Sequence, residues 1–436
     1  MRNSVITGSG SYIPETIIKD DHFTEDKGYV FYSQEGKRYD ISTAESVNDL
    51  GKKTGIRERR YETKLVTSEM VTKVARDILN SSNDCGDIDY IIVAHNFGDL
   101  DSLGVKIDLV PSFASRVKHN LGITNPWVVA YDIICSNGSL DKITNPLINK
   151  KKNFIANKKG LDLEKIRGIK LCDKESLEEI IVAHTEDTEC IAEKVKNNLG
   201  IKNGIAYDVV FGCPGYLQGV IQADYLIKTG AAKKILVLAG ENLSRTPDPH
   251  DRDCPIYADA AGGKKIELLE TNKPTGILSC ISRSDTLKYH DLLKIGKSYN
   301  PDYDLGKHFL KMNGHDLYEY ALQFVPETVK KSVENARLEL SDIKKVLLHQ
   351  ANEKMDRRIL EKFFGLYNIK KADIPKDIMP MTISWLGNSS VATLPVLYDL
   401  IVKGKLDHQK LNSGDNIIFA SVGAGMNINS MVYRMP

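Results

Sequence analysis

One stretch of this sequence is written twice, and the repetition constrains the fold more than any other feature. The pentapeptide IIVAH stands at 91–95 and again at 180–184, and ASRVKHNLGITNPWVVAYDII (114–134) is echoed by AEKVKNNLGIKNGIAYDVV (192–210). The offset shrinks from 89 residues at the first match to 76 at the AYD tripeptides, so the first copy carries extra residues between its strand and its helix. Each copy reads as strand, helix, strand, and two such units compete for one place in a sheet. Taking residues 135–210, 76 of the 436, out of the chain joins Ile134 to Phe211 and leaves a continuous pattern of 360 residues. The extra segment therefore reads as a partial duplication, and deleting it is expected to leave a soluble, active dimer. Connectivity gives 206–210 first claim on the strand position that feeds the turn after it.

Around the repeat, short apolar runs alternate with amphipathic stretches, the pattern of an α/β chain. Strands are predicted at 4–7, 90–95, 127–134, 206–210, 234–239, 345–349 and 417–422. Helices are predicted at 112–121, 216–229, 314–338 and 352–364, with Pro326 kinking or breaking the third. Lys+Arg 59 against Asp+Glu 58 leaves a net charge of +1, so no global field favours nucleic acid or a membrane surface. The basic tract 145–159 has Phe154 as its one aromatic and reads as a solvated linker. No run reaches the roughly eighteen apolar residues of a membrane span, and the opening MRNSVITGSGSYIP meets Gly and Pro before a secretory apolar region forms, so the cytoplasm is expected. The seven cysteines, at 85, 135, 172, 190, 213, 254 and 280, contain no C-x-x-C pair, which speaks against a zinc ribbon or a disulfide framework. His95, His184 and His315 lack metal-ligand spacing, so no metal is expected.

The sharpest chemical signal is DVVFGCPGYLQG (208–219), a β-rich run, a small-residue turn and a helix. That order puts the Cys213 thiol at a helix N-terminus, where the dipole and free amides favour thiolate; a buried inert cysteine fits the local pattern equally well. VLLHQAN (346–352) ends an apolar strand on His349, and GNSS (387–390) offers the Asn388 amide on a glycine turn. Together a Cys, a His and an Asn can activate a nucleophile and polarise a thioester carbonyl. Separately, a strand-end His is more often a core residue and Gly-Asn more often a turn.

With TGIRERR (54–60), LSRTPDPHDR (243–252), MNGH (312–315) and VGAG (422–425) added in order, the chain resembles β-ketoacyl-acyl carrier protein synthase III of the thiolase superfamily, nearly end to end outside 135–203. The resemblance implies an α/β, thiolase-like five-layer αβαβα sandwich of two similar halves. Residues 1–265 would carry the nucleophile, with 135–203 as a duplicated insertion, and 266–436 would carry His349 and Asn388. It implies transfer of an acyl group from acyl-CoA to Cys213, then decarboxylative Claisen condensation with malonyl-acyl carrier protein. His349 and Asn388 would stabilise the enolate, and the Cys213 and Ala424 amides would form an oxyanion hole. Substrate contacts would come from Arg57, Arg245 and Val110, with Arg245, Arg252 and Lys264 as candidates for a basic docking surface. The Val110-Pro111-Ser112 loop matches one that family members push into a neighbour's acyl pocket, so a homodimer is expected. No metal or organic cofactor is implied beyond the CoA and carrier-protein thioesters.

Two motifs depart from the family. Its GDGAGA segment stands here as ADAAGG (258–263), and the aromatic that often precedes TGIRER is missing from DLGKK (49–53). Another product class stays open, as in alkylresorcinol, chalcone-synthase-like or head-to-head acyl condensation, and so does a non-catalytic heterodimer partner.

Overall fold

The computed structural model describes residues 1–81, 87–105, 109–120, 122–136, 142–143, 153–157, 179–186, 190–303 and 306–436. Cys85, Cys172, Asn137 and most of the tract 145–159 lie outside them. Among the described residues the larger sheet has eight strands, in the spatial order Arg2–Tyr12, Asp259–Glu270, Lys234–Asn242, Tyr90–Ala94, Ile205–Val210, Val129–Ser136, Glu179–Glu186 and Asn153–Asn157. The smaller has four, in the order Gly276–Ser284, Asn427–Arg434, Asn416–Gly423 and Ile343–Leu348.

Burial along each element follows from its layer. The helices Gly215–Thr229 and Thr393–Val402 lie between the two sheets, and both are apolar and buried around nearly their whole circumference, as a helix covered on both sides must be. Thr67–Ser81 packs on the outer face of the larger sheet and buries one stripe that includes Met70, Val71, Val74 and Ile78. Gly314–Asn335 covers the outer face of the smaller sheet, with Glu353–Gly365 packed against it. The result is the expected five-layer αβαβα order. Tyr90–Ala94 is buried at every residue, the continuous apolar pattern of a parallel strand covered on both faces.

The structure corrects several local expectations. Pro326 does not divide its helix, which runs unbroken over Gly314–Asn335 with Pro326 in its buried face, where packing outweighs the lost amide bond. Within the tract expected to be a solvated linker, Asn153–Asn157 forms a strand parallel to Glu179–Glu186. Lys264 is no surface residue. It is 1% exposed in the strand Asp259–Glu270, and its ammonium sits 3.8 Å from the Tyr398 ring centroid and 4.2 Å from that of Phe419.

The two copies of the repeat do not compete, because both enter the larger sheet. Ile205–Val210 lies parallel to Tyr90–Ala94, and Val129–Ser136 pairs antiparallel on its other side. Glu179–Glu186, which contains the second IIVAH, lies parallel to Val129–Ser136. Asp208 holds this region together. It accepts from the Ile191 and Ala192 amides at 2.8 and 2.7 Å and meets His95 Nε2 at 2.8 Å, all in the interior. Burial works to lower the His95 pKa, but the charge and hydrogen bond of Asp208 outweigh it and hold it above the usual value. Replacing Asp208 with Ala strands a buried His and two helix amides, so Asp208→Ala should destabilise the protein by about 3–5 kcal/mol, read as a lowered urea midpoint. Asp208→Asn, which keeps an acceptor, should lose less.

Candidate active site

The strand Ile205–Val210 leads through Phe211 into a turn that must reach the helix Gly215–Thr229 within four residues. Gly212 makes this possible at φ +67°, and its carbonyl accepts from the Gly215 amide at 2.9 Å. The turn is wedged against the loop after the strand Asn416–Gly423. A Cβ on Gly212 would lie 2.7 Å from the Ala424 amide nitrogen, and one on Gly423 would lie 2.6 Å from the Cys213 nitrogen. The amides assigned to the oxyanion hole are thereby brought to one place by two glycines that belong to different sheets.

Cys213, His349, Asn388 and Ala424 all line one cavity of 410 Å³. His349 follows the strand Ile343–Leu348 and is anchored through its amide to Ala420 at 2.8 Å. The rest of HQAN shapes the turn after the strand, and Ala351 and Asn352 also line the cavity. Gln350 accepts from the amides of Thr382 and Ile383 and donates to Pro380, while Asn352 caps the helix Glu353–Gly365. Asn388 is fixed between Ile256 and Ala258 by its own backbone, and its Oδ1 accepts from the Ser390 amide at 2.9 Å.

Burial sets the electrostatics. It pushes the Cys213 thiol up to about 11, against the hydrogen bond from Ser390. It pushes His349 down to about 4, and the buried Nδ1 has no hydrogen-bond partner among the described residues. The resting pair at neutral pH is therefore thiol and neutral imidazole, and of the two readings the local sequence left open for Cys213, a helix-end thiolate and a buried thiol, desolvation favours the thiol before substrate binds. Cys135 and Cys254 are buried in core clusters, and neither lines this cavity.

Sequence reasoning missed Ser390, Asn96 and Glu241. The Ser390 hydroxyl donates to Cys213 Sγ at 3.3 Å and accepts from Asn96 Nδ2 at 3.2 Å. Asn96 in turn donates to Glu241 Oε1 through Nδ2 at 3.0 Å and through its amide. Burial pushes Glu241 up to about 8. Ser390 stood inside a recognised motif, but Asn96, just after the strand Tyr90–Ala94, and Glu241, within the strand Lys234–Asn242, carried no local signal.

Val110 lines the cavity. Arg245 does not: its guanidinium donates to the carbonyls of Leu100, Glu62 and Leu65, so it ties loops together, and neither the substrate contact nor the docking role expected of it is available. Arg57 is exposed and also outside the cavity lining, while its neighbour Arg59 is buried on Asp20 at 2.7 Å. At the exposed end of the cavity stand Lys53 and Arg252, the latter 5.2 Å over the Tyr39 ring, beside Asp251 and Asp253.

With the thiol near 11, iodoacetamide alkylation of Cys213 should climb about tenfold per pH unit from pH 7 to 9 with no plateau. Ser390→Ala removes the donor that favours thiolate, raises the pKa further and should slow alkylation at pH 8 about tenfold, as followed by peptide mass spectrometry.

A family model described as 3-oxoacyl-[acyl-carrier-protein] synthase III matches residues 207–285, and the model of its C-terminal part matches 333–435. β-Ketoacyl-[acyl-carrier-protein] synthase III of Clostridium botulinum (strain Okra) is 33% identical over 239 residues, 53% of this chain and 68% of that one. The Streptococcus gordonii protein of the same name is 30% identical over 284 residues, 64% and 83% of the two chains. Among solved structures, 3-oxoacyl-[acyl-carrier-protein] synthase III from Aquifex aeolicus superposes with a TM-score of 0.65 at 20% identity, covering 99% of each chain. The priming β-ketosynthase of the R1128 polyketide pathway gives 0.65 at 16% identity, over 100% and 97%. Its sequence relatives, its five layers and a cysteine elbow facing His349 and Asn388 across one cavity agree, and the chain belongs to the β-ketoacyl-[acyl-carrier-protein] synthase III family of condensing acyltransferases.

Proposed function

We propose that this enzyme primes fatty acid or related lipid synthesis by moving an acyl group from acyl-CoA to Cys213 and condensing it with malonyl-acyl carrier protein. The observation that carries this reading is the single cavity into which Cys213, His349, Asn388 and the Ala424 turn converge. Cys213 sulfur bonds to the thioester carbonyl, the carbon–sulfur bond to CoA breaks, and the thiol proton leaves with the CoA sulfur. Charge developing on the carbonyl oxygen is met by the Cys213 and Ala424 amides. Malonyl thioester then loses carbon dioxide. The enolate, with its oxygen toward His349 and Asn388, attacks the acyl carbonyl and expels the Cys213 thiolate, which takes up one proton from solvent to restore the thiol.

A neutral His349 suits this role, since a neutral imidazole can donate one hydrogen bond to an enolate oxygen without first losing a proton. The substrate thioesters carry the electrophile and decarboxylation drives carbon–carbon bond formation, so the reaction calls for no metal or organic cofactor. A cytoplasmic setting suits thioester substrates of this kind. Among the described residues no helix is long and apolar enough to cross a membrane. A non-catalytic partner role has no support in a site where nucleophile, His and Asn are all retained.

Cys213→Ala should abolish covalent labelling by radiolabelled acyl-CoA, and in the parent the label should map to Cys213 by peptide mass spectrometry. Label on Cys135 or Cys254 would overturn the assignment. His349→Ala and Asn388→Ala should still acylate Cys213 but lose malonyl decarboxylation by about a hundredfold or more; condensation at the parent rate in either would remove that residue from the mechanism.

A further inference from the structure

The two copies of the repeat meet by a symmetric rule. In the sequence match, 130–134 corresponds to 206–210 and 91–95 to 180–184. In the antiparallel pair, Asp132 faces Val210, Ile133 faces Val209 and Ile134 faces Asp208. Exchanging every residue for its counterpart turns the first pairing into the third and leaves the second unchanged. The flanking strands obey the same exchange. Ile91 faces Ala206 and Ile92 faces Tyr207 on one side, while Ile180 faces Ala130 and Ile181 faces Tyr131 on the other. Each IIVAH strand lies beside the AYD strand of the other copy.

Side chains repeat the pattern. His95 of the first copy bonds Asp208 of the second at 2.8 Å, and His184 of the second bonds Asp132 of the first at 3.0 Å. Asp208 caps Ala192 at 2.7 Å, and Asp132 caps Ala114 at 2.7 Å. This is the self-complementary relation of a two-fold pair with exchanged elements, which ordinarily takes two chains to build. Here one chain builds it.

The first-copy unit is seated on the same chain. Its buried Lys118 ammonium donates to Val128 and Ser284, the Ser284 amide donates to Pro126 at 2.7 Å, and the His119 and His290 rings lie 3.9 Å apart. The exchange also moves the Val110 loop. The strand Tyr90–Ala94 stays beside the elbow strand, while the helix Phe113–Asn120 and the strand Val129–Ser136 that follow the loop go to the far side of the pseudo-axis. The residue that the family resemblance assigned to a neighbour's pocket therefore lines this chain's own cavity with Cys213.

We propose that the duplicated segment is a built-in second edge. It closes within one chain the strand edge and the pocket wall that a two-fold pair of chains would otherwise supply, so the catalytic unit is a single chain and the expected homodimer is replaced from within. An intrachain partner is always present at high effective concentration, so assembly should not depend on dilution. The mass arm of the test is independent of the proposed reaction; the labelling arm rests on it.

Sedimentation equilibrium of the full-length protein over about three decades of concentration should give one species of 48.7 kDa, with Cys213 acylation per chain constant throughout. Removing residues 135–210 moves the first-copy strand to the elbow and leaves its edge open, and that variant should sediment at twice its own chain mass. Val110→Arg should cut acylation by a long acyl-CoA about tenfold or more, and mixing it with Cys213→Ala should restore nothing, because wall and nucleophile act in one chain. A full-length dimer, or recovery of labelling in the mixture, would overturn the proposal. If no variant and no parent is acylated, the mass alone decides and the fault lies with the assigned reaction.

Discussion

The close approach of two backbones at Gly212 and Gly423 is the contact on which the site depends. Neither position has room for a Cβ, since each would meet the other segment's backbone nitrogen below 3 Å. The elbow follows a strand of the larger sheet and the Gly423–Ala424 turn a strand of the smaller, so Cys213 and the amides proposed for the oxyanion hole are in place only when both sheets are packed on the two helices between them. A site built across the seam of two halves is rigid because the seam is the core itself.

That depth has an electrostatic consequence. Water exclusion raises the Cys213 pKa and lowers that of His349, so both rest neutral and no ion pair forms before substrate arrives. Polar support comes instead from the line Cys213, Ser390, Asn96 and Glu241, in which each of the first three is held by the next. Glu241 lies at its buried end, with burial pushing it up to about 8, which favours the neutral acid at neutral pH. Lys264 shows the same economy of charge. Enclosed by Tyr216, Tyr398 and Phe419, it is held well below the usual lysine range and serves as packing.

The repeat addresses a different difficulty, the exposed strand edge. Ile205–Val210 would border the larger sheet if the first-copy strand were absent, and an apolar edge of that kind is a template for pairing with another chain. The first copy satisfies it by an antiparallel register symmetric between the copies. The two buried His–Asp pairs then fix which strands are neighbours, since slipping the register by one residue would turn each Asp to the opposite face.

The sequence by itself determined much of the scaffold and singled out the residues proposed for the chemistry. Cys213, His349 and Asn388 were legible because a small-residue elbow, a strand-end His and a Gly-Asn turn are local patterns, and the apolar strands 90–94 and 205–210 announce themselves through burial on both faces. The strands Asp259–Glu270, Gly276–Ser284 and Asn427–Arg434 did not stand out, since Gly262, Lys264, Ser279 and Asn429 become strand residues only when partners across the sheets accept them. Only the tertiary structure decided that Arg245 holds loops, that Lys264 is core, and that Ser390 reaches Cys213, because each depends on groups far away in the chain. The fate of the repeat was decided there as well. Two equal copies carry equal local preferences, and what separates them is connectivity: Val210 alone leads within three residues to Cys213, so its strand takes the elbow position and the other copy becomes its partner.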